Sequence, residues 1–107
     1  METIFYVNNQ TLIAALSGEI DHHVCEKLRK DIDDEMKIYG AKNLIFDFSD
    51  VTFMDSSGIG VVLGRYKKVN QLGGHVIIRN ASHIVKRILD MSGVFTLMAY
   101  EDTVDKR

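Results

Sequence analysis

The sequence contains no run of about 18 apolar residues, so it offers no segment able to cross a bilayer as a helix. It has one cysteine, Cys25, which excludes an internal disulfide and suits a reducing compartment. A basic excess is missing too: 13 Lys and Arg stand against 15 Asp and Glu, for a formal charge of −2. Nucleic-acid binders usually carry a basic stripe, and this chain shows none. The opening "METIFYVNNQ" has no basic region followed by an apolar stretch, so it does not read as a secretory signal, and a cytoplasmic location is expected. The 4 histidines and the cysteine fall at no metal-ligand spacing, so neither a metal nor a cofactor is expected. There are no internal repeats and no linker.

What is present is a well-mixed chain of 107 residues, 46% hydrophobic and 26% charged. That length predicts a single domain over residues 1–107 with one packed core. Ile4 to Val7 and Thr11 to Leu16 read as two strands, with Asn8, Asn9 and Gln10 as the turn between them. The second is nearly all apolar, as expected of a strand covered on both faces. Asp21 offers a helix N-cap. Val24, Leu28, Ile32, Met36 and Tyr39 then make one apolar stripe, and Gly40 stops the helix. "NLIFDF", Asn43 to Phe48, is a third strand. A second helix follows "SDVTFMDSS", with Ile59, Val62, Leu63, Tyr66 and Val69 inward and Arg65, Lys67 and Lys68 late, where cations suit the helix dipole. "HVIIR" is strand four. Ser82 caps a third helix with Ile84, Val85, Ile88 and Leu89 inward, and Gly93 ends it. "VFTLMA" reads as the last strand, before a charged tail over 101–107. The order β-β-α-β-α-β-α-β predicts an α/β fold: a largely parallel sheet made mixed by its opening hairpin.

The chemistry concentrates in "FMDSSGIGVVLG", Phe53 to Gly64. Gly58, Gly60 and Gly64 follow a strand and open a helix, the context of a phosphate loop. Their spacing is one residue off the dinucleotide pattern, and no Gly-Lys-Ser/Thr follows. A small nucleotide-binding protein using this loop is the alternative from another functional class. Gly60 and Gly64 share one helical face, where missing side chains admit another backbone. Each interior glycine costs about 1 kcal/mol against alanine, so the sheet or a visiting protein should press on that face.

Asp55 or Ser56 is the natural N-cap of the second helix. If Ser56 caps, Ser57 takes the first helical position and its hydroxyl can point outward. One reading is that both serines only cap and turn the chain. The other is that a hydroxyl here is a modification site. A phosphoryl group adds about −1.5 to −2 charges. A helix N-terminus tolerates that charge, gaining roughly 0.3–1 kcal/mol, whereas a docked partner would not. Serine nucleophile chemistry lacks the Gly-x-Ser-x-Gly elbow and needs a base from His22, His23, His75 or His83. Asp21 and Asp55 both follow strands and begin helices, so "SGEID" and "FMDSSG" should meet at the carboxyl edge of the sheet. Cys25, beside an apolar stripe, reads as a packing residue.

Three stretches together, "LSGEID" (Leu16 to Asp21), "LIFDFSDVTFMDSSGIGVVLGRYK" (Leu44 to Lys67) and "MSGVF" (Met91 to Phe95), resemble the anti-sigma-factor antagonists of spore-forming bacteria. These are STAS domains, and the likeness is nearest to the sporulation type. The resemblance implies a small mixed sheet with helices packed mainly on one face. It implies an anti-anti-sigma factor without catalytic activity of its own. The unphosphorylated form would bind an anti-sigma factor that is also a serine kinase, and so free the sporulation sigma factor for transcription. The kinase would inactivate it by phosphorylating the second serine of the Asp-Ser-Ser-Gly loop, Ser57 here, and a metal-dependent serine phosphatase would restore it. Ser56, Ser57, Gly58 and Ile59 would then shape the docking loop. Asp21 and Asp55 would flank it and offer acceptors to a basic group of the kinase, and Gly60 and Gly64 would keep the helix face flat. A STAS module of another stress-signalling complex is the remaining alternative.

Overall fold

The computed structural model describes residues 1–103, so 104–107 of the charged tail lie outside the described residues. The elements run β1 (Glu2–Asn8), β2 (Thr11–Ile20), α1 (His22–Tyr39), β3 (Asn43–Met54), α2 (Ser56–Gln71), β4 (Val76–Arg79), α3 (His83–Ser92) and β5 (Ala99–Glu101). The strands form one sheet in the order β1-β2-β3-β4-β5. β1 and β2 make the antiparallel hairpin, turning at Asn9, whose φ of 57° is a conformation asparagine tolerates. The later strands pair in parallel, each reached through one helix. Among the described residues no helix is long and apolar enough to cross a membrane.

All three helices bury their apolar residues against the same side of the sheet. Leu12, Ala14 and Leu16 of β2 and Leu44, Phe46 and Phe48 of β3 join Leu28, Ile32, Val62, Val69, Val85 and Leu89 in one core. Each of the leucine, isoleucine, valine and phenylalanine side chains contributes roughly 1.5–3 kcal/mol on burial. The intervening Ile13 and Ala15 are only half-buried, so β2 is covered on one face and not on both.

Several boundaries move for physical reasons. β2 and β3 both run past their expected ends, to Ile20 and Met54. Two register shifts, at Ala15/Ser17 and Gly18/Glu19, let the parallel ladder continue through polar residues. Val94–Thr96 is a 3-10 turn, and only Ala99–Glu101 pairs as the last strand. Val94 and Met98, four apart, both go into the core, and that helical spacing overrides the β propensity of "VFTLMA". Tyr39 and Ile84 are exposed rather than inward, at 53% and 60%. Arg65 is not a dipole-facing surface cation: it is buried, together with Val61, on the inner side of α2.

Candidate functional site

The register Ile20↔Met54 sets the ends of β2 and β3 side by side, so Asp21 and Asp55 leave the same edge of the sheet. The Asp55 N–H donates to the Ile20 carbonyl at 3.2 Å and extends this pairing by one residue. Each aspartate then caps the helix that follows it. The His23 N–H donates to Asp21 Oδ1 at 3.0 Å. The Ser57 N–H donates to Asp55 Oδ1 at 2.8 Å. Asp55 also reaches across, where its Oδ2 accepts from the His22 N–H at 3.2 Å. One carboxylate thus fastens the first turns of both helices.

This corrects the role expected of Ser56. Asp55 is the cap, Ser56 is the first helical residue with an exposed side chain, and Ser57 is the second, half-buried. Among the described residues no group hydrogen-bonds to the Ser57 hydroxyl, and neither His22 nor His23 engages it as a base. Asp21 and Asp55 both cap helices and so shape the loop; Asp21 uses one carboxylate oxygen for this, Asp55 both.

The same geometry argues against a nucleotide loop. The Ser57 N–H is taken by the Asp55 carboxylate, and the Gly58 N–H by the Asp55 carbonyl at 3.0 Å. The positive helix end already faces an anion, which also reduces what a phosphate on Ser57 would gain there.

The glycines divide into two kinds. A Cβ on Gly58 would lie 2.3 Å from Met54 Cγ and 3.2 Å from Ile20 Cγ2, so this position packs α2 against the strand ends. A Cβ on Gly60 or Gly64 would meet nothing within 4 Å. The sheet therefore does not press on that face of α2. Ile59 is partly buried against the core.

A shallow groove of about 440 Å³ separates the two helix starts. His22, His23 and Arg29 line it from α1, Ser57 and Gly60 from α2, and Cys25 forms part of its wall. Burial first, then the Asp55 carboxylate, pushes the Cys25 thiol up, which keeps it neutral and inert. This wall, in which Glu26 stands beside Arg29, escaped sequence reasoning, which weighed the histidines only as bases. Its signal was the spacing of His22, Cys25 and Arg29, which places all three on one face of α1.

Residues 3–107 match the family model of the STAS domain. An anti-sigma F factor antagonist of Paenibacillus polymyxa is 42% identical over 85% of this chain and 78% of its own. The anti-sigma factor antagonist SpoIIAA in its unphosphorylated form superimposes with a TM-score of 0.84 at 30% identity, covering 97% of this chain and 90% of that one. The Bacillus cell fate determinant SpoIIAA in the phosphorylated form gives 0.77 at 30% identity over 97% and 93%.

Proposed function

The chain belongs to the STAS domain family and, within it, to the anti-sigma factor antagonists, and from that premise we propose that it is a phosphorylation-controlled, protein-binding switch in one domain over 1–107. Its unphosphorylated form binds an anti-sigma factor that is also a serine kinase, and the bound sigma factor is released. The kinase phosphorylates Ser57 and ends the interaction. A metal-dependent serine phosphatase reverses the modification. The protein itself catalyses nothing, needs no cofactor, contacts neither nucleic acid nor membrane, and works in the cytoplasm. Similarity to sigma F antagonists favours the sporulation system over another stress-signalling complex.

One observation supports this reading most. Ser57, Gly60 and Gly64 fall on one stripe of α2, and a Cβ on either glycine would meet nothing within 4 Å beyond the helix itself. A helix that carries two interior glycines without an internal use for them leaves a flat face for a partner backbone. The modifiable hydroxyl stands at the end of that face. A phosphate there puts bulk and about −1.5 to −2 charges into the docking surface. A tenfold loss of affinity needs only about 1.4 kcal/mol.

Incubation with the kinase and ATP, followed by mass spectrometry, tests the assignment. Phosphate should appear on Ser57, and Ser57→Ala should bind the anti-sigma factor yet remain unmodified. Phosphate on Ser56, or continued modification of Ser57→Ala, would refute it. A pull-down from the source cell identifies which kinase partner is used.

A further inference from the structure

The two edges of the sheet are not alike. β5 is three residues long and ends at Glu101, which pairs with Arg79 at 2.8 Å. A short, charged edge is poor ground for another strand. β1, at the other edge, runs seven residues and pairs only with β2 among the described residues. Its register is unshifted from Glu2↔Ser17 to Asn8↔Thr11, so it has no bulge. It holds no proline and no lysine, and its one charge is Glu2 at its start. Ile4 is 57% exposed, Tyr6 55% and Val7 40%. Such an edge is a template for a further strand. The direction of its free groups follows from the pairing. The Glu2 carbonyl faces β2, where it accepts from Ser17 Oγ at 3.5 Å. Backbone groups alternate along an antiparallel ladder, so Glu2, Ile4, Tyr6 and Asn8 turn theirs toward β2. Thr3, Phe5 and Val7 then turn N–H and C=O away from the sheet, in a set centred on Phe5.

We propose that β1 is an interface for a second copy of this chain, the two β1 strands lying antiparallel about a two-fold axis at Phe5. The strand is its own complement about that axis. Thr3 falls opposite Val7 of the second copy and Phe5 opposite Phe5, and each facing pair exchanges its N–H···O bonds. Ile4 falls opposite Tyr6, a β-branched residue against an aromatic, which is a stabilising cross-strand pair. Glu2 falls opposite Asn8, an amide donor, whereas in-register parallel pairing would set Glu2 against Glu2. This register also keeps Ile4 and Tyr6 of both copies on the uncovered face of the sheet, beside Ala15 and Ile13 of β2. The two-fold is closed and leaves only the short β5 edges free, so assembly stops at two chains. One strand pair is a small interface, below about 1,200 Å² in total, so association is weak and depends on concentration. It uses no residue of α2 and is separate from the Ser57 face.

Sedimentation equilibrium of the full chain from about 10 μM to about 1 mM, the range of weak interfaces, tests the proposal. The mass should rise from that of one chain toward that of two and stop there. Amide exchange followed by NMR should slow most at Thr3, Phe5 and Val7 as the concentration rises. Val7→Pro removes an outward N–H and leaves the β1–β2 ladder its bonds, and it should weaken association about tenfold or more. Ile4→Lys sets two lysines diagonally across the axis and should weaken it likewise. Circular dichroism checks that each variant folds, and if Val7→Pro does not, Ile4→Lys decides. A single-chain mass throughout, growth beyond two chains, slowed exchange that misses Thr3, Phe5 and Val7, or unchanged association of a folded variant would each overturn the proposal.

Discussion

The Asp55 carboxylate accepts from two helices at once, and its removal should be felt at both. Losing a cap costs about 0.5–2 kcal/mol. Asp55→Ala forfeits a second amide contact in addition, whereas Asp21→Ala forfeits one. Urea unfolding midpoints should therefore fall further for Asp55→Ala than for Asp21→Ala, and Asp55→Asn should recover part of the loss. Equal midpoints for the two alanine variants would contradict the double role of Asp55. The neighbouring serines behave differently. Ser57→Asp should weaken binding to the anti-sigma factor while circular dichroism stays unchanged, since the hydroxyl holds no internal bond. At this scale the sequence placed both aspartates at neighbouring helix starts but left the cap of α2 between Asp55 and Ser56. Both are good caps, and the choice was made by the Ile20↔Met54 pairing, which is a long-range contact.

Along α2, glycines of identical local appearance should respond with opposite signs. Gly60→Ala and Gly64→Ala enter open space and should each stabilise the isolated protein by up to about 1 kcal/mol. The same substitutions should weaken binding to the anti-sigma factor. Gly58→Ala drives a Cβ into Met54 and should cost about 1–3 kcal/mol. Thermal unfolding of the three variants, paired with binding measurements, checks both signs; a destabilised Gly60→Ala would mean that the chain itself needs the gap. The periodicity of α1 and its Asp21 cap were legible because they are local. The spacing of Arg65 fits a surface cation equally well, and only the packing of α2 against α1, which leaves the residue 6% exposed, makes it interior. "VFTLMA" failed for a related reason, since Val94 and Met98 serve the core from a 3-10 turn and the turn after it.

Across the whole molecule, alternation of strands and helices was enough to predict a mixed sheet with crossover helices. The lengths of β2 and β3 were not legible, because bulged pairing carries them through Ser17, Gly18, Ser49 and Asp50. The last strand is fixed by a side chain of its own, Tyr100. Its hydroxyl accepts from the Ala81 N–H at 3.0 Å and donates to Asp102 Oδ1 at 2.7 Å, tying β5 to the start of α3. Burial first, then the bond to Asp102, pushes the Tyr100 phenol up to about 12. The folded state thus favours the neutral phenol. Its contribution is intact below the ordinary tyrosine value of about 10 and is lost as pH rises through about 12. Alkaline absorbance titration should show a component near 12 that disappears in Tyr100→Phe; its persistence in that variant would remove Tyr100 as the source.

On the proposed reading, one phosphate on Ser57 closes the docking face of α2 while leaving the fold intact. Calorimetric titration of the anti-sigma factor with the unmodified and the Ser57-phosphorylated protein, at matched circular dichroism, measures this directly. Affinity should fall at least about tenfold on phosphorylation, with no change in secondary structure. Equal affinity of the two forms, or a loss accompanied by unfolding, would contradict it.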